Sequence, residues 1–373
     1  MSVMSLSNYS RCLFFLIPVV LATILSLWKF QVAQDVGFVL DLSQADSSYG
    51  VLDDGFVILY NDEITYLSWL DRRADSFVRS IGGDGDLTLN VFGYLVGSIY
   101  YMLGETWQYV FILGIVGFYF FMFSCMSLLK TLKVEPAYSK ALLMAICLSP
   151  TVINLTSGMM RDLFVLSAFN YSLVSMMKGR YFRFIVLFIM MVSLRTYMSV
   201  ILFPLYVFFY FNAENTSVKL TATLTAFFVS FIVVISSLES QAGGYPTGIN
   251  DVFFRLLSAI FGLNIVVLDI FDYFSVSGVA MLEKLSHAYQ FLVMLFMYYL
   301  VIKCRFRFHA FFAPFLCVSI LLSVLYGFYL GYFVARTKLL VLWLALVFIG
   351  LQLSKYGHGS SKLSVGKQQK KSH

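Results

Sequence analysis

Charge is what this chain has least of. Only 12% of its 373 residues are Asp, Glu, Lys or Arg, against about 25% in soluble globular domains. Hydrophobic residues make up 60% and the mean hydropathy is +0.83, which excludes a soluble domain. Cysteine is sparse as well: Cys12, Cys125, Cys147, Cys304 and Cys317 are odd in number, fall inside or at the ends of apolar runs, and have no metal-ligand spacing. They read as small apolar residues. The four histidines are scattered and make no zinc pattern. A Gly-rich phosphate loop between a strand and a helix is missing, so a sugar nucleotide held by a soluble domain is not supported.

What is present are recurrent runs of about 20 apolar residues, the pattern of helices crossing a hydrocarbon core about 30 Å thick. They are continuously apolar rather than alternating, which argues against a β-barrel. The fold class expected is all-α: a polytopic transmembrane bundle of about ten spans. These fall near residues 12–30, 107–129, 139–157, 163–177, 184–194, 197–212, 220–237, 288–302, 309–333 and 339–354. Residues 1–354 form a single membrane domain, and 355–373 a disordered basic tail. The first run is too long for a signal peptide and lacks a well-formed cleavage site around Val32-Ala33, so it is read as an uncleaved span.

Charge distribution sets the orientation. With the N-terminus inside, the inner segments carry Arg11, Lys130, Lys133, Lys140, Lys178, Arg180, Arg183, Lys219, Lys303, Arg305, Arg307 and five tail lysines, against only Glu135 and Glu214. That is the positive-inside bias, with both termini cytoplasmic. The same parity makes residues 88–103 a surface-lying or partly inserted helix and 256–271 a re-entrant or interfacial one. Long outer loops then cover 31–106 and 238–287.

The first of these loops is acidic, holding eleven of the twenty carboxylates between residues 31 and 87. Asn61 reads as a helix N-cap, with Asp62 and Glu63 in the first turn. Leu67, Leu70, Ala74, Phe77, Val78 and Ile81 recur at helical spacing and predict a helix lying on the membrane surface. Gly82-Gly83-Asp84-Gly85-Asp86 closes it as a turn rather than a calcium loop.

Four cations sit against the positive-inside trend at the outer ends of spans: Arg161, Arg195, Arg336 and Lys338. Arg195, in Arg195-Thr196-Tyr197, interrupts an otherwise apolar stretch where two short helices meet. A charge beside a span costs about 2.5–3.5 kcal/mol at the helix centre on insertion scales, so these cations need anionic partners. The protein's own carboxylates and a phosphate-bearing ligand are both open at this point. Arginine suits diphosphate because its planar fork donates two parallel hydrogen bonds. A surface carboxylate can take the proton of an attacking hydroxyl as a phosphate leaving group departs.

A first span, a long outer loop with the acidic pair in YNDEITYLSWL, an apolar helix with FGYLVGSIYYMLGETW, and LSPTVINLTSGMMRD at the next outer turn follow in that order. This layout resembles GT-C-type integral-membrane glycosyltransferases, which use polyprenyl-phosphate sugars. LRTYMSV and ARTKLL are similar to segments of the bacterial O-antigen and exopolysaccharide polymerases, Wzy-type and EpsG-type. The likeness covers roughly residues 10–200 in layout.

The resemblance implies Asp62 or Glu63 as catalytic base or metal-orienting acid. It implies Arg161, Asp162, Arg195, Tyr197, Arg336 and Lys338 as substrate-binding residues, the arginines toward a lipid diphosphate. The large outer domain of many GT-C enzymes has no counterpart, which favours a compact polysaccharide enzyme over a protein-glycosylating one.

The expectation is therefore a bacterial inner-membrane, multi-pass glycosyltransferase. It would join polyprenyl-diphosphate-linked repeat units on the periplasmic face. No cofactor is identified, and a divalent cation stays open. Its partners are polyprenyl-linked oligosaccharides, membrane lipids and a chain-length regulator or flippase; nucleic acid is not among them. A single-sugar transferase and a lipid-linked sugar transporter are the rival functions.

Overall fold

The computed structural model describes residues 16–27, 98–99, 102–103, 112–158, 161–210, 216–239, 279–303, 312–328 and 338–369. The acidic loop with Asp62 and Glu63, the helix expected at 256–271, most of the one expected at 88–103, most of both long loops, and Arg336 lie outside those residues.

Among the described residues every element longer than a turn is an α-helix. In chain order they are α1 (Leu16–Leu27), α2 (Ile112–Thr131), α3 (Pro136–Cys147), α4 (Pro150–Thr156), α5 (Asp162–Met177), α6 (Tyr181–Leu194), α7 (Thr196–Tyr210), α8 (Thr216–Glu239), α9 (Val279–Lys303), α10 (Phe312–Phe328) and α11 (Leu339–Gln369).

The all-α expectation holds; the span count holds only in coarser form. Among the described residues three helical stretches are long and apolar enough to cross a membrane: Ile112–Thr131, Ser217–Val234 and Leu285–Lys303. The bent pair α3–α4 makes a fourth if counted as one span. The reason is length. α5, α6 and α7 have 16, 14 and 15 residues, and at 1.5 Å per residue each covers only about 21–24 Å of a core about 30 Å thick. Residues 355–369, expected in a disordered tail, continue the helical backbone of α11, as propagation of a helix already nucleated by the buried 339–354 stretch allows.

Local chemistry fixes the breaks. Pro150 has no N–H to give and restricts the residue before it, so Ser149 is extended at φ −61°, ψ 125°, and the expected single span 139–157 becomes two helices bent by 62°. Arg195, also extended at φ −152°, ψ 96°, ends α6 and starts α7: its N–H donates to Met191 O and its carbonyl accepts from Met198. α5 ends in a Schellman turn, with Gly179 at φ +66° and the amides of Gly179 and Arg180 donating to Met176 O and Ser175 O. α2 ends the same way with Lys133 at φ +57°, a conformation that costs a side-chain-bearing residue roughly 1–2 kcal/mol.

α5 is the centre of the bundle. It packs against α2, α6 and α7, and nearly all of its residues are buried. Gly117 lets α2 approach it, since a Cβ there would meet the Phe164 ring at 3.0 Å. A polar clip ties three helices together: Asn170 of α5 donates to Ser124 Oγ of α2 at 3.0 Å and accepts from Trp343 Nε1 of α11 at 2.9 Å. Trp343 is fully buried, edge-on to Phe121. Tyr206 of α7 bonds Ser172 of α5 at 2.9 Å and sits among the rings of Phe169, Phe184 and Phe188. Burial of Asn154 and Asn170 removes two of the chain's Asn-X-Ser/Thr matches as glycosylation acceptors.

Contacts sort the helix ends into two groups. At one end Ser26 Oγ (α1) bonds Ser157 O after α4, Gly114 (α2) lies against the carbonyls of Thr156 and Gly158, and Asp162 (α5) meets Arg195 between α6 and α7. At the other end Glu135 N–H bonds Ser354 Oγ of α11, Arg183 lies over the Tyr171 ring, and Lys219 over the Phe208 ring. Each helix from α2 through α8, with α3 and α4 taken together, runs from one end to the other.

Candidate functional site at the Arg195 end

Asp162 opens α5, where a carboxylate complements the unpaired N–H groups of the first turn. Its Oδ1 accepts from Arg195 Nη2 at 2.8 Å, and the two side chains are only 7% and 4% exposed. The extended backbone at Arg195 leaves this residue in neither helix, at the junction of α6 and α7, where its side chain reaches the start of α5. Three helix termini are thereby held by one buried ion pair. Of the two partner sets left open by the sequence, Arg195 takes a carboxylate of its own chain.

Asp162 Oδ2, an acceptor, and Nε of the preceding Arg161, a donor, are buried without a hydrogen-bond partner. Such atoms are rare in folded proteins, where roughly 90% or more of buried polar groups are bonded. Ser149 Oγ and Thr151 Oγ1 at the α3–α4 bend share that condition.

A second buried pair joins α9 to the start of α11. Lys338 Nζ lies 2.9 Å from His287 Nδ1, and both residues are buried. On α9 buried polar residues recur at one-turn spacing, Ser286 and His287 followed by Gln290. This part of α9 faces the α3–α4 bend: Tyr289 donates its hydroxyl to Ala145 O, and α9 packs on α4.

Among the expected site residues, Asp162 and Arg195 are brought into direct contact. Arg161 is adjacent in sequence, with no bond between its guanidinium and Asp162. Lys338 is buried against His287, a residue the sequence reading passed over. Tyr197 lies in the first turn of α7, and its side chain is outside the described residues. Asp62, Glu63 and Arg336 are outside them altogether.

His287 escaped notice because the expected span began at 288, whereas α9 begins at Val279, and Gln290 because it is a single polar residue within an apolar span. The signal was available as a polar row, Ser286, His287 and Gln290, on an otherwise apolar helix. Among the described residues no group of three His, Cys, Asp or Glu is placed to hold a metal ion. Compared with protein-family models, with curated proteins and with solved structures, the chain matches none.

Proposed function

We propose that the chain is a bacterial inner-membrane glycosyltransferase that joins polyprenyl-diphosphate-linked oligosaccharide units into O-antigen or exopolysaccharide on the periplasmic face. The observation that carries this reading is the buried Asp162–Arg195 pair with Arg161 beside it, at one common end of the bundle. Buried ionisable groups are costly near a membrane and mark functional sites by default. About ten passes are part of this proposal, with the shorter helices crossing at a locally thinned layer.

In the proposed reaction the acceptor hydroxyl attacks the anomeric carbon of the growing chain. The new bond is oxygen to anomeric carbon, the bond lost joins that carbon to the phosphate oxygen, and the diphosphate lipid leaves. Asp62 or Glu63 takes the hydroxyl proton. Arg161 and Arg336 bind the diphosphate, Asp162 holds Arg195 in place, and Lys338 adds positive charge. Tyr197 is assigned to substrate binding.

In cells making the polymer, Asp62→Asn and Glu63→Gln leave the protein inserted and abundant, and at least one abolishes polymer while single units accumulate on lipid. Arg336→Lys shortens the chains because the bidentate fork is lost. Normal chain length in all three variants rejects the site. Long chains lacking one sugar, instead of single lipid-linked units, would indicate a single-sugar transferase.

The buried Lys338–His287 pair and the polar row on α9 favour a second reading, a transporter of lipid-linked sugars, since a path across the layer needs polar groups inside it. Purified protein in liposomes, given only outward-facing units, separates the two: chain growth without translocation excludes transport.

A further inference from the structure

We infer that the turn between α5 and α6 binds the headgroup of an anionic phospholipid, with its acyl chains along the outward face of α6. This surface lies at the end of the bundle opposite Arg195 and is separate from the reaction proposed there. Lys178, Arg180 and Arg183 fall within six residues on it, and all three are exposed. Arg183 lies over the Tyr171 ring at 5.5 Å, and neither Lys178 nor Arg180 makes a side-chain ion pair among the described residues. α2, α3 and α8 bring Lys130, Lys133, Lys140 and Lys219 to the same end, where Glu135 is the one carboxylate among the described residues. The described acids therefore leave this cluster unneutralised.

The same turn opens an apolar track that no other part of the described chain covers. Phe182 is 82% exposed, and Ile185, Val186 and Ile189 follow it at one-turn spacing, each about half-exposed. From Phe182 to Ile189 the track runs about 10 Å at 1.5 Å per residue. Phe184, Phe188 and Met191 occupy the other face of α6 and pack into the core. A free anion answers only the cations, and a neutral lipid only the apolar track. An acidic soluble protein would hold Phe182 and Ile189 against polar surface. A lipid with net negative charge on its headgroup meets both, since basic residues at a membrane surface attract anionic lipid.

The test uses the full chain in dodecyl maltoside, with bound lipid counted by native mass spectrometry. The probes are dioleoyl phosphatidylglycerol and dioleoyl phosphatidylcholine, which share their acyl chains and differ in net headgroup charge. The wild type binds phosphatidylglycerol about tenfold or more tighter than phosphatidylcholine. Lys178→Gln combined with Arg180→Gln removes most of that preference. Its phosphatidylcholine binding stays within about threefold of wild type, because the apolar track is intact. Lys130→Gln combined with Lys140→Gln takes the same charge from other exposed positions at this end. That variant keeps the preference to within about threefold.

A wild type that binds the two lipids equally overturns the inference, as does a preference that survives Lys178→Gln with Arg180→Gln. Equal losses in the two double variants overturn it too, because the cations then act as a diffuse field rather than a site. So does a Lys178→Gln, Arg180→Gln variant that loses both lipids alike. Displacement of phosphatidylglycerol by inorganic phosphate at constant ionic strength would reduce the cluster to a free-anion site. Each of these results leaves the transferase reading standing.

Discussion

α5 and α8 are both apolar helices of one bundle, and they dispose of their side chains in opposite ways. α5 buries Asp162, Ser167, Asn170, Ser172 and Ser175 together with its leucines and phenylalanines. α8 turns Phe228 and Ile232 outward, 60% and 64% exposed. Its inward face is a row of small residues, Thr223, Ala226 and Ser230, packed against α7, where Ser230 bonds Val200 O at 2.8 Å. Its outward hydroxyls, Thr221 and Thr225, fold back onto carbonyls of their own helix.

A water-soluble bundle would do the reverse, with polar groups outside and large apolar ones within. In lipid an outward leucine costs nothing, so burial no longer follows apolarity. Close approach and polar satisfaction decide which face turns in.

The largest effect expected from breaking this contrast lies at the buried pair. Arg195→Ala leaves Asp162 buried without its partner, and destabilises the bundle by about 3–5 kcal/mol. The loss is read as a fall in thermal midpoint in detergent, and combining it with Asp162→Ala recovers part of that loss. A midpoint unchanged by Arg195→Ala would make the pair a surface-like contact of little weight.

Next comes the outward face of α8. Phe228→Lys near its middle lowers membrane insertion by about 2.5–3.5 kcal/mol in a glycosylation-based insertion assay. The same change would be nearly silent on a water-facing helix, so normal insertion would sink the lipid-facing assignment. The smallest effect concerns the inward clip. Asn170→Leu removes the acceptor of Trp343 Nε1–H and costs about 1–3 kcal/mol. Adding Trp343→Phe relieves the stranded donor, so the double variant is more stable than Asn170→Leu alone.

Much of the bundle is legible in the chain because helix formation and apolarity are local. The observed helices fall close to the expected spans from 107–129 through 339–354, and the interruption at Arg195 was foreseen from a single charge in an apolar stretch. The bend at Ser149-Pro150 was readable in principle from the proline. It passed as one span because hydropathy sums over both arms. Partner choice was not legible. Arg195 and Asp162 are 33 positions apart, and α5 and α6 must fold back on each other before a guanidinium chooses between its own chain's carboxylate and a phosphate.

The amino-acid order alone therefore determined that this chain is helical and apolar, where its backbone must break, and which few charges need explaining. Only the folded arrangement decided that Asp162 rather than a distant acid meets Arg195, that Lys338 lies against His287, and that Asn170 is a joint between three helices. The physical reason is range. Backbone hydrogen bonding and transfer from water act within a few residues, whereas a buried charge or amide is satisfied only by whatever the tertiary packing brings to within about 3 Å of it.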